Sequence, residues 1–231
     1  MATQRLTFFK FVPQADFDLN NMLFNLLQLN SSSTHCLIEE QSTNHVKGCY
    51  LVEKLKNETQ YNINKGEFEI VSVSKLSILK FEIILVSHIL IIIGSRNDIS
   101  QFITVLTESS RNKCIIDNKE IDFKQLLGKL IVKNNIVFNK MRINNVIIDQ
   151  GLVANCSVNL LDLDNCKDLI NKYRDNISQL SLSLGKSSRY EESPSVNMTI
   201  FSSGSIVLYK DWDDIPNEII FEILSMIEGD N

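Results

Sequence analysis

One order of elements is written twice along this chain: an apolar strand, an amphipathic helix behind acidic residues, further strands joined by a tight turn, and a second amphipathic helix. Repetition constrains the fold more than any single motif, because each copy must bury the same faces of the same elements. In the first copy Leu6 to Val12 reads as a strand, and Phe17, Leu19, Met22, Leu23, Leu26 and Leu27 mark a helical face behind Asp16 or Asp18. The copy closes with strand, turn, strand and a helix. In that helix Ile99, Phe102, Ile103 and Leu106 recur at helical spacing behind Asn97 and Asp98 as caps.

The second copy opens with strands at Met141 to Ile148 and Leu152 to Leu160. A helix follows with Leu163, Cys166, Leu169, Ile170 and Tyr173 inward and Asp162 or Asp164 as its cap. Leu180 to Leu184, the hairpin Met198 to Tyr209 and a terminal helix complete it, with Pro216 in the first turn, where a missing N–H costs nothing. The expected boundaries are 1–117 for the first copy, 118–140 for a connector with a short helix at Phe123 to Leu130 and a strand at Asn135 to Phe138, and 141–231 for the second copy. Residues 39–74, rich in Asn, Lys, Glu and Thr, read as an insertion in the first copy: a surface excursion or an extra hairpin.

The chain has 231 residues, 44% of them hydrophobic, enough for one domain or for two small repeats sharing a sheet. Its 23 Lys and Arg against 28 Asp and Glu give a net charge of −5, which argues against strong non-specific nucleic-acid binding but leaves room for a local basic stripe. No basic segment followed by an apolar run opens the chain, and its five cysteines are odd in number and scattered. Both features lead to the expectation of an intracellular protein without disulfides. Ile83 to Gly94 is too short and too interrupted to span a membrane, which takes about 20 apolar residues. It reads as two buried strands joined by a tight turn.

The second copy resembles a repeat of the TATA-binding protein family over Met141 to Glu228. The run IFSSGSIVL from Ile200 to Leu208 is similar to that family's strand–stirrup–strand segment, Ile143-Asn144-Asn145 to its opening strand, and Leu161 to Leu163 to its helix start. The first copy resembles the family through Phe17 to Leu19 and Ile84 to Gly94. There Leu85 stands where the stirrup Phe falls, and Val86-Ser87-His88 replaces Ser-Ser-Gly. The resemblance implies an α/β fold of the α+β kind: two repeats forming a saddle, with a curved antiparallel sheet and helices on its convex face. The enlarged first repeat is similar to divergent members of large DNA viruses or of highly derived protists, the viral ones favoured, which implies a nucleus or a cytoplasmic virus factory as the site of action.

The function implied is transcription initiation: the sheet meets an A/T-rich promoter duplex in the minor groove, with general transcription factors or RNA polymerase subunits as partners. Phe201 is the implied wedge between base steps, and as an aromatic in an alternating strand it equally suits a core. Ser203, Gly204 and Val207 follow it in the segment, Gly204 supplying the positive φ of a tight turn. Asn145 is implied as a groove-reading amide or is a solvated strand end. Leu85 and Ser87 are the counterparts in the first copy, Leu85 as wedge or as core, and a second wedge is expected near Leu180 or Leu182. The alternative function is an interaction or regulatory module of the same fold with little DNA affinity, suggested by the acidic balance.

His35, Cys36, His45 and Cys49 fall close together but lack the paired spacing of a zinc finger, so chance placement competes with a metal site. No P-loop, GxGxxG, GxSxG or HExxH is present, and neither an enzyme nor a cofactor is expected.

Overall fold

The computed structural model describes residues 3–31, 33–133, 135–149, 152–160, 166–185 and 195–227; Asp162, Leu163 and Asp164, expected at a helix start, lie outside them. Among the described residues the chain is α+β, with eleven strands and five α-helices. It divides into two compact units, Lys10–Asp117 and Met1–Phe9 with Asn118–Asn231. The first strand, β1 (Gln4–Pro13), contributes residues to both.

In the Lys10–Asp117 unit, β1 leads to α1 (Leu19–Gln28), which begins where extended Asp18 accepts the N–H groups of Asn20 and Asn21. Four strands follow: β2 (Thr34–Gln41), β3 (His45–Asn62), β4 (Glu67–Ile84) and β5 (Ile89–Ile93), each antiparallel to the next. Residues 39–74 are therefore mostly regular strand, and Ile83 to Gly94 forms the end of β4, a turn and β5. Helix α2 (Arg96–Ser109) packs Phe102 between Tyr50 and Phe81, with ring centroids 5.0 and 4.8 Å away. Asn25 of α1 ties the two helices by donating to the Ser109 carbonyl at 2.9 Å.

The cap of α2 is Ser95, whose hydroxyl accepts the Asp98 N–H, rather than Asn97 or Asp98. Asp98 turns inward: it is 2% exposed and accepts hydrogen bonds from Lys54, Ser77 and Ser95. Burial alone would raise its pKa, but the Lys54 ammonium and the two hydroxyls outweigh that and hold it below the ordinary carboxylate value. Because the folded state binds the proton more weakly than the unfolded chain, this contribution to stability is complete above about pH 4. It is lost as the pH falls through the lowered value. Asp98→Asn is expected to cost about 2 kcal/mol at neutral pH and to flatten the acid limb of a urea-stability profile.

The other unit contains α3 (Phe123–Leu130), β7 (Ile136–Asp149), β8 (Leu152–Asn159), α4 (Cys166–Tyr173), β9 (Ile177–Leu184), β10 (Val196–Phe201), β11 (Ser205–Leu208) and α5 (Asn217–Ile227). The short β6 (Cys114–Asn118) precedes them. Strand order here is β8-β7-β9-β10-β11, with the start of β1 beside β11, and these pairs are antiparallel. One face of this sheet is core: Leu6, Ile206, Ile200, Leu180 and Met141 lie across five strands, none more than 1% exposed. The apolar sides of α3 and α5 complete that core, and Lys133, just past the end of α3, pairs with Glu222 in the middle of α5 at 2.5 Å.

From β6 onward the order is β6-α3-β7-β8-α4-β9-β10-β11-α5, and without β8 and α4 it is the order β1-α1-β2-β3-β4-β5-α2. Residues 118–140, expected as a connector, carry α3 and the start of β7, the places that α1 and β2 hold in the first series.

Candidate nucleic-acid interface

Strand alternation sends the remaining side chains of this sheet to the face opposite the core. Register sorts them into two rows across five strands: Thr7, Ser205, Phe201, Gln179 and Arg142, then Arg5, Val207, Thr199, Ser181 and Lys140. The rows contain four hydroxyls, one amide, two apolar groups and three cations, with no carboxylate. A chain of net charge −5 thus places three cations on this face, while Thr199 and Ser205 are buried among their neighbours and Thr7 and Ser181 are the partly open hydroxyls. Ser181 and Thr199 hydroxyls lie 2.9 Å apart, and Ser183 donates to Asn197 at 2.6 Å, cross-strand bonds that hold the rows in register.

Phe201 ends β10 half-buried, with the Arg5 guanidinium 5.6 Å from its ring centroid. Arg5 also donates to the Ser205 hydroxyl at 2.9 Å, so the cation and the ring are held as a pair. Beside the ring, Arg142, Asn144, Gln179 and Ser203 help line a depression of about 350 Å³. The side-chain oxygen of Asn144 is buried there without a hydrogen-bond partner among the described residues. Arg5 was not singled out in the sequence, since nothing local to residue 5 signals a neighbour 200 positions away.

The turn after Phe201 explains Gly204. Its N–H donates to the Phe201 carbonyl, its own carbonyl accepts from the Phe8 N–H at 2.9 Å, and its φ is +81°. A Cβ there would lie 1.9 Å from the Lys119 carbonyl oxygen, so both the conformation and the space require glycine. Ser203 is exposed at the turn and Val207 is half-buried in the second row.

The turn in the other unit follows the same plan. The His88 N–H donates to the Leu85 carbonyl, and the His88 carbonyl accepts from the Phe11 N–H at 2.8 Å, with His88 at φ +53°. Leu85-Val86-Ser87-His88 and Phe201-Ser202-Ser203-Gly204 are therefore equivalent turns, each offering its last carbonyl to β1 within its own unit. Leu85 and Ser87 are half-buried, and Val86 is the exposed apolar residue of that turn.

Two expectations move. Leu180 and Leu182, proposed positions for a second wedge, are wholly buried in the core, and Gln179 stands across from Phe201 instead. Asn145 sits at a register shift of β7 with φ +57°, its N–H donating to Asn155. The strand that opens the second series by element order is β6, which ends on exposed Asn118.

His35, Cys36, His45 and Cys49 do not converge. Register puts Cys36 on the face of Tyr50, and Cys49, the residue before Tyr50, lies on the opposite face. Cys49 donates to Glu39, His45 pairs with Glu82 at 2.7 Å, and burial, then the nearby Cys49, pushes the Cys36 thiol up to about 12. Among the described residues no three His, Cys, Asp or Glu side chains are grouped to hold a metal ion, and no helix is long and apolar enough to cross a membrane. Comparison of the chain with the known protein families and with curated protein sequences finds no match.

Proposed function

We propose that this chain is a transcription initiation factor of the TATA-binding-protein type, built of two unequal repeats, and that the face opposite the core in the unit of Met1–Phe9 and Asn118–Asn231 binds the minor groove of A/T-rich duplex DNA. The observation that carries this reading is the pair of cross-strand rows. The partly open Thr7, Ser181 and Val207, small groups that a minor groove accepts, are flanked by Arg5, Arg142 and Lys140 for the phosphates, and Phe201 stands beside the turn as a wedge. The shared turn geometry at Leu85–His88 and Phe201–Gly204 supports the repeat. General transcription factors or polymerase subunits would meet the helices.

Electrophoretic mobility shift and end-labelled fluorescence transfer on A/T-rich and scrambled duplexes test the reading. Three phosphate-neutralising cations predict an affinity that falls with salt with a log–log slope of about −3 between about 50 and 200 mM, and Arg142→Ala should reduce that slope by about 1. Phe201→Ala should abolish bending while costing about 2 kcal/mol of folding stability, less than the loss of a wholly buried ring, because this ring is only half-buried. Equal affinity for both duplexes, or no binding, would sink the DNA reading. The acidic net charge would then favour the second one, a module of the same fold that binds protein partners with little DNA affinity.

A further inference from the structure

Strands β3 and β4 pair over 18 positions, from His45↔Ile84 to Asn62↔Glu67. Their outer neighbours stop early: β2 ends its pairing at Thr34↔Val52, and β5 begins at Lys80↔Ile93. Residues 53–62 and 67–76 therefore form a two-stranded arm of roughly 30 Å with no strand on either side among the described residues, and Ile78 lies at its root, where β2 still flanks β3. A ribbon of two strands is marginally stable by itself in water.

The two faces of the arm differ in kind. One carries Lys54, Lys56, Glu58 and Gln60 across from Lys75, Val73, Val71 and Glu69, with a Lys75–Glu58 ion pair at 2.6 Å. The other, opposite α2, carries Leu55, Tyr61, Phe68, Ile70, Leu76 and Ile78, each between 54% and 79% exposed. Tyr61 and Phe68 meet edge-to-face at the tip, 5.1 Å between centroids. The only charged group of the arm on this face is Glu53, which accepts from Ser74.

Six side chains of this size expose roughly 800 Å² of apolar surface, above the 300–600 Å² of the largest patch on an ordinary monomer and about equal to one partner's share of a standard interface. We propose that this face is covered by the same face of a second copy of the chain. It lacks the cations that a nucleic acid needs and the charge that a charged peptide would pair with. Its ends are complementary: the tip is aromatic, the base is aliphatic, and between them lie the small Asn57, Ser72 and Ser74. A two-fold axis through Asn57 and Ser72 lays the tip of each arm on the base of the other, an isologous contact that closes.

Sedimentation equilibrium of the full chain at micromolar concentration should give twice the 26.4 kDa chain mass. The variant Phe68→Ser/Ile70→Lys should dissociate at least about 30-fold more readily with an unchanged circular dichroism spectrum, while Val86→Lys, exposed elsewhere, should leave the mass unchanged. Asn57→Cys, next to the axis, should form a disulfide-linked dimer under mild oxidation where the parent chain does not. A monomeric parent chain overturns the proposal, whether or not that monomer binds vesicles or DNA through the arm. So does a dimer that survives the double substitution, or an Asn57→Cys chain that fails to cross-link. None of these outcomes depends on DNA binding by the other unit.

Discussion

Gly204→Ala is expected to cost about 4 kcal/mol, enough to unfold a marginally stable chain at ambient temperature. Forcing an alanine to φ +81° contributes about 1 kcal/mol. The larger part comes from space: the new methyl would sit 1.9 Å from the Lys119 carbonyl oxygen, a backbone atom that cannot rotate away. Relieving the contact means moving the segment through Lys119, which donates to the Phe8 carbonyl at 3.1 Å, or the turn that offers the Ser202 carbonyl to Ile121 at 3.0 Å. Urea unfolding followed by circular dichroism measures the cost, and Gly128→Ala in α3 is the control. Among the described residues, nothing beyond its chain neighbours and its own helix backbone lies within 4 Å of a Cβ at Gly128, so alanine there should stabilise the helix by about 0.5 to 1 kcal/mol. A loss below about 1 kcal/mol at Gly204 would show that the Lys119 backbone does not approach the turn.

Phe102→Ala is expected to cost about 4 kcal/mol, measured in the same way. The ring is wholly buried, and its removal takes away the contacts with both Tyr50 and Phe81 and leaves a cavity under α2. Phe102→Leu, which keeps most of the volume, should cost less than half as much. Phe221 of α5 provides the contrast. It is 70% exposed, and its replacement by alanine should stay within about 0.5 kcal/mol. If the two phenylalanines proved equivalent, the packing of α2 on β3 and β4 would be wrong.

Legibility in the sequence followed locality. The tight turn at Phe201–Gly204, the strand reading of Ile83–Gly94 and the helix starting behind Asp18 are each decided by a few neighbouring residues, and the structure has them where the pattern put them. The arm was harder to read. A strand with one charged and one apolar face, unsupported at its edges, has the Lys, Glu, Asn and Thr composition of a surface loop, so residues 39–74 show their alternation only once β3 is paired with β4. Leu180 and Leu182 illustrate the same parity: a one-residue change of register exchanges core for surface, and the pairing Phe201↔Gln179 put both leucines inside. Asn97 and Asp98 looked like caps because their type suits that place. Lys54 and Ser77 arrived from other strands and drew Asp98 inward, leaving Ser95 to cap the helix.

For the candidate interface the division is similar. The run from Ile200 to Leu208 by itself determines a hairpin with Phe201 beside the turn and a glycine at positive φ, because alternation and turn chemistry act between adjacent residues. Only the tertiary structure decided that Arg5 lies over Phe201, that Arg142 and Lys140 close the same rows, and that Lys119 presses on Gly204. Those contacts join residues far apart in the chain, and their register depends on which sheet face the helices cover, which is set by the burial of the whole apolar set at once.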